Sequence, residues 1–210
     1  LQQRALAQLS IFEGGFGVDA ASAILGVTPA TLSALRNKTL LRNAGSRRYD
    51  FHTLIQQFAT EALSAMGDLA PQVRERHSRH YLAGLADQVA ALDSIRAREA
   101  ADRVTPDWEN ITSAWRCAVD MGNGALLRAA VDGVIEYADM RGKREDIEPM
   151  LRAAIERFDH PTEVAEHDGD RLETLCRLLA ARARLSNMFG IDDVSYAERA
   201  HALAVRIDHA

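Results

Sequence analysis

The chain has 210 residues, of which 47% are hydrophobic and 5 are proline, with a formal net charge of −5. Such a composition excludes a disordered segment and suffices for two cores of ordinary size, while no apolar run reaches the ~20 residues of a membrane-spanning helix. Cys117 and Cys176 stand far apart on separate predicted helices, which excludes a disulfide framework and a closed metal site and predicts two buried thiols in a soluble, cytoplasmic chain.

In chain order, residues 2–9 are helical in composition and carry Leu6 and Leu9 with no cap before them, so the chain is expected to be a piece of a longer protein. Gly14, Gly15 and Gly17 break that helix and read as a flexible turn. Asp19 is placed to cap a helix over 20–25, which Gly26 ends. Thr28 followed by Pro29 is an N-cap with proline at the first helical position, where its missing N–H costs nothing. A third helix is therefore expected over 30–37. Residues 40–42 and 47–51 flank Asn43-Ala44-Gly45-Ser46, a small-residue reversal between two short strands. Helical spacing resumes over 52–63 with Leu54, Ile55, Phe58, Ala59 and Leu63, expected to close a core over Phe12, Phe16, Ile24, Leu32 and Leu35. Three helices, a hairpin and a closing helix read as a winged helix.

Beyond it, residues 71–92 are predicted as one long helix with Val73, His77, Tyr81, Leu82, Leu85, Val89 and Leu92 along one side. Residues 94–104 are charged and alanine-rich, either helix or connector. Thr105-Pro106 is a second cap pair, opening a helix that buries Ile111, Ala114, Trp115, Ala118 and Val119. Amphipathic helices follow over 126–140, up to Gly142, and over 148–158. After Pro161-Thr162 come helices over 172–188 and 193–207. A weak internal echo joins Met140-Arg141-Gly142 to Met188-Phe189-Gly190, each followed by an alanine-bearing helix. Small residues at Ala181, Ala197, Ala200 and Ala204 suit closely stacked helical hairpins.

Three stretches carry a family resemblance: residues 9–16 (Leu-Ser-Ile-Phe-Glu-Gly-Gly-Phe) with Asp19-Ala20-Ala21, residues 49–59 (Tyr-Asp-Phe-His-Thr-Leu-Ile-Gln-Gln-Phe-Ala), and residues 107–120, beginning Asp-Trp-Glu-Asn. They resemble the winged-helix domain, and the start of the tetratricopeptide-like region, of bacterial NB-ARC-type signal-transduction ATPases of the STAND class. The resemblance implies a mainly α chain divided as 1–66, an N-terminally truncated winged helix with a small β-hairpin; 67–106, a coupling helix and connector; and 107–210, tetratricopeptide-like helical repeats. It also implies that His52, at the histidine position of a Met-His-Asp-like tripeptide, contacts the β-phosphate of ADP in the intact protein. Phe51 stands where methionine is usual and Thr53 where the family has an acidic residue, so the histidine alone is carried over. Further implications are an upstream nucleotide-binding domain in cis, ADP or ATP with Mg in that parent protein, and a protein or small-molecule inducer on the repeats. The expected role is signalling or transcription regulation, with DNA reached through another domain.

Other chemistry is weaker in the sequence. Up to His52, six cations (Arg4, Arg36, Lys38, Arg42, Arg47 and Arg48) oppose only three acids, Glu13, Asp19 and Asp50, and the rest of the chain is net acidic. Arg36, Lys38, Arg42, Arg47 and Arg48 could thus meet DNA phosphates, the alternative function. A phosphate-binding loop is absent: Gly142-Lys143 is followed by Arg144, and Tyr137 stands at the first glycine position, so this chain alone is expected not to be an enzyme. His77 and His80 lack further ligands at metal spacing and read as a solvated face. His160, Glu163, Glu166, His167, Asp168 and Asp170 read as a solvated connector.

Overall fold

The computed structural model describes residues 2–160, 169–188, 190 and 194–208. The chain is mainly helical with one small sheet, and its contacts divide it into two units: Leu1–Tyr81 with Thr105–Ala114, and Leu82–Val104 with Trp115–Ala210. The division therefore falls inside two continuous helices, and residues 105–114 group with the N-terminal segment rather than with the C-terminal helices.

In the first unit, α1 (Gln2–Leu9) leads through the Phe12–Gly15 bend into β1 (Phe16–Gly17), α2 (Val18–Leu25), α3 (Pro29–Asn37), β2 (Leu41–Asn43), β3 (Arg48–Phe51) and α4 (Thr53–Ser64). Local chemistry sets the boundaries. Gly26, at φ 66°, ends α2 in a left-handed conformation that glycine adopts without strain. Thr28 Oγ1 accepts the Thr31 N–H at 3.3 Å, so the Thr-Pro pair opens α3 as expected. Asp19, by contrast, is not a cap: α2 starts one residue before it, with Gly17 at the N-cap, and the carboxylate lies in the first turn where the helix dipole favours it.

The hairpin forms as expected and gains a strand. The antiparallel order is β1-β3-β2, with Phe16 opposite Tyr49 and Leu41 opposite Phe51. The glycine turn is thus not a loose linker, since Phe16–Gly17 pairs with β3. Phe12 and Phe16 stack at 4.5 Å between ring centroids and anchor a core with Leu9, Ile24, Leu32, Leu35 and Phe51. On α4 only Ala59 and Leu63 are buried. Leu54 is 79% exposed and Phe58 66%, so both face outward instead of closing the core.

The helix expected over 71–92 is two helices, α5 (Leu69–Ala86) and α6 (Val89–Leu92). At the break the Gln88 N–H turns back to the Leu85 carbonyl, and the Gln88 carbonyl restarts the ladder at Leu92. Apolar spacing continues across those two residues, which is why periodicity did not reveal them. Residues 97–104 form α7 (Ala97–Val104). Thr105–Asp107 is one 3-10 turn, and α8 (Trp108–Asp120) begins only after it.

The second unit completes α8 and adds α9 (Gly124–Arg141), α10 (Arg144–Asp159), α11 (Gly169–Met188) and α12 (Ser195–Asp208). Asn123 caps α9 by accepting the Leu126 N–H at 3.2 Å, and Gly142 closes it at φ 63°. α11 packs against α9, α10 and α12. Arginines tie these helices: Arg128 donates to the Asp170 carbonyl (2.7 Å) and Thr174 Oγ1 (2.6 Å), while buried Arg182 donates to Glu148 (2.8 Å) and lies over the Tyr196 ring. Cys117 and Cys176 are free and half-buried rather than sealed, and burial pushes the Cys176 thiol up. Ala181 and Ala200 are buried as stacked helices need, but Ala197 is exposed. Phe189 of the internal echo, Pro161-Thr162, Asp193, and Glu163, Glu166, His167 and Asp168 of the acidic connector lie outside the described residues. Among the described residues no single helix is long and apolar enough to cross a membrane.

Two glycines test this packing. A Cβ at Gly133 would meet Leu85 Cγ at 2.7 Å and the Leu85 carbonyl at 3.1 Å, whereas one at Gly84 on α5 would meet nothing within 4 Å. Gly133→Ala is expected to lower stability by about 1–3 kcal/mol in urea unfolding, and Gly84→Ala to raise it by up to about 1 kcal/mol. Equal effects of the two substitutions would contradict the close α9 packing.

Candidate functional site

His52 is the N-cap residue of α4, in extended conformation (φ −78°, ψ 138°), with its carbonyl accepting the Ile55 and Gln56 N–H groups at 2.9 and 3.0 Å. Its side chain caps no backbone N–H and the residue is exposed. The first turn of α4 holds no acidic residue. No acidic side chain in that turn therefore offsets the positive end of the helix dipole, an environment that favours an anion. Exposed Leu54 follows in that same turn, and exposed Phe58 lies one turn further. A donor-rich helix mouth beside exposed apolar side chains is suited to meet a second body carrying negative charge.

The hairpin cations are differently employed. Arg42 pairs with Asp50 at 2.5 Å, Arg47 with Asp19 at 3.0 Å and Arg48 with Asp107 at 2.7 Å. Lys38 donates to Gln2 Oε1 at 2.6 Å, and Arg36 to Asn37 Oδ1 at 3.4 Å. The three acids near them in charge and space thus take up three of the five cations that a DNA-binding surface would need. Arg48 is the most committed, also donating to the carbonyls of Pro106 (2.8 Å) and Gly15 (3.3 Å).

A buried polar cluster sits beside that arginine. Asn110, fully buried in the first turn of α8, accepts the Glu13 N–H at 2.9 Å through Oδ1 and donates to the Gly15 carbonyl at 2.8 Å through Nδ2. Oδ1 also faces His77 Nε2 at 3.3 Å. Because Oδ1 can only accept, His77 must donate there, which places a proton on Nε2. His77 is 1% exposed, so the expected solvated face is wrong for this residue: it packs against Phe12 and Tyr81. Burial pushes its pKa down to about 4, opposed by the Asn110 hydrogen bond and reinforced by His80. His80 is also lowered by burial, against the pull of Asp107, and burial raises Tyr81.

Two stretches that the sequence presents separately thereby meet. Asn110 holds Glu13 and Gly15, Ser113 Oγ donates to Glu13 Oε1 at 3.1 Å, and the Glu109 side chain lies so close over Gly14 that a Cβ there would fall 1.8 Å from its Oε2. Nothing in the spacing of residues signals this cluster, although the Asp-Trp-Glu-Asn motif contains its key members. Among the described residues no group of three or more histidines, cysteines or carboxylates gathers as a metal site. Comparisons with protein-family models, curated proteins and solved structures give no match.

The neutral His77 carries a pH dependence. Its pKa rises from about 4 in the folded chain to the ordinary value of roughly 6.5 on unfolding, so below pH 6.5 the unfolded chain binds the extra proton. Its contribution to stability is full above that pH and is lost as pH falls toward 4. Between pH 7.5 and 5 the loss is about 2 kcal/mol from this group. Urea unfolding of the chain and of His77→Gln at both pH values should show the variant with a shallower dependence, and equal slopes would contradict a neutral buried ring.

Proposed function

We propose that the chain is a regulatory and protein-interaction segment of a STAND-class signal-transduction ATPase: a winged helix that senses ADP through His52, followed by tetratricopeptide-like repeats that bind an inducer or partner. The observation that carries this reading is the placement of His52. An imidazole at the exposed mouth of a 12-residue helix adds a donor where uncapped backbone N–H groups already attract a phosphate. Leu54 and Phe58 beside it supply apolar surface for the nucleotide-binding domain that the resemblance implies upstream in cis. In the resting state the winged helix closes over ADP. Inducer binding to the repeats opens it only to the extent that the inducer prefers the open form. Mg and ATP belong to that upstream domain, and no catalytic residue is assigned to this chain.

DNA binding through Arg36, Lys38, Arg42, Arg47 and Arg48 is the competing reading. Three of these cations have their charge balanced by Asp50, Asp19 and Asp107, which weakens the positive field that phosphates would meet. The α3 surface offers few side chains able to read bases.

In the intact ATPase, His52→Ala is expected to weaken ADP binding about tenfold, the loss of one hydrogen bond to a charged group, and to raise basal signalling. Unchanged ADP affinity together with unchanged basal output would remove the sensor role. A duplex titration of the 210-residue chain at low salt separates the alternatives: tight binding that falls steeply with salt would favour DNA recognition, and the sensor reading expects none.

A further inference from the structure

We propose that the Phe12–Gly15 bend is a relay between the first turn of α4 and the first turn of α8, with Gln56 and Asn110 as its two positioning residues. Gln56 lies one turn after His52, and its Nε2 donates to the Phe12 carbonyl at 2.9 Å. On the other side, Asn110 takes the Glu13 N–H and the Gly15 carbonyl. Backbone groups of residues 12, 13 and 15 are therefore each held by a side chain from α4 or α8.

The shape of the bend depends on those side chains. Gly14 and Gly15 have φ of 72° and 89°, a region that leads into neither helix nor strand. Glu109 covers Gly14, and Arg48 donates to the Gly15 carbonyl while pairing with Asp107. The stacked Phe12 and Phe16 rings fix both ends of the strip. A shift of α4 consequently pulls on a short strip whose far side is bonded to α8, and that displacement reaches α8 without crossing a mobile segment. The relay stands on these bonds alone. That it reports the occupancy of His52 rests on the function proposed above.

The test is amide hydrogen exchange on the 210-residue chain without nucleotide. Gln56→Leu, at a half-buried position, removes the donor to Phe12 while keeping the side chain's bulk. Leu63→Ala, in the core cluster of Ala7, Leu63, Ala70 and Val73, serves as a control that lowers stability without touching the bend. Gln56→Leu is expected to speed exchange about tenfold at the Glu13 amide and over residues 110–114, with Leu32 and Leu35 unchanged, whereas Leu63→Ala speeds exchange broadly. Acceleration confined to α4, or a pattern in Gln56→Leu indistinguishable from that of Leu63→Ala, overturns the relay. Because no nucleotide enters, this outcome is independent of whether His52 binds ADP.

Discussion

The first unit depends on one carboxamide. Asn110 sits at the start of α8, about 95 residues from the bend it holds, and satisfies a backbone donor, a backbone acceptor and a buried imidazole together. A glycine-rich bend has little conformational preference of its own, and its buried polar groups would be costly without partners. The asparagine resolves both problems. It lies in the unit where β1 pairs with β3 and Asp107 meets Arg48, and it accepts the Nε2–H of His77, whose ring burial keeps neutral.

This arrangement also bears on function. A hairpin whose arginines are bound to Asp50, Asp19 and Asp107 has its cationic charge largely spent inside its own unit. The opposite holds at the head of α4, where His52 caps nothing and two large apolar side chains face outward. Polar groups are thus satisfied within the unit, while the α4 mouth keeps an uncapped start beside exposed apolar side chains. The second unit follows different physics. Its helices are joined by arginine-carboxylate and arginine-carbonyl bonds over an apolar interior that includes Leu178, Leu179 and Leu185.

Features governed by neighbouring residues were legible in the sequence. The Thr28-Pro29 start, the Gly26 and Gly142 stops and the hairpin over 41–51 follow from local backbone chemistry, and the structure has them where that chemistry requires. Features governed by distant partners were not legible. Apolar spacing on α4 does not say which of its stripes faces the core, so Leu54 and Phe58 were expected inside. A histidine in a charged stretch, Arg74-Glu75-Arg76-His77, looks solvated until Asn110 is found against it. The Gly14-Gly15-Phe16-Gly17 run looks flexible for the same reason, because the groups that fix it come from β3, α4 and α8.

The most direct measurement is the unfolding free energy of Asn110→Ala relative to the parent chain. The substitution leaves the Glu13 N–H, the Gly15 carbonyl and the His77 N–H without their shared partner, at roughly 1 kcal/mol or more for each buried group. A loss of about 3 kcal/mol or more, or failure to fold, is the result expected if this side chain anchors the unit. A loss below about 0.5 kcal/mol, the size of an ordinary surface substitution, would contradict it.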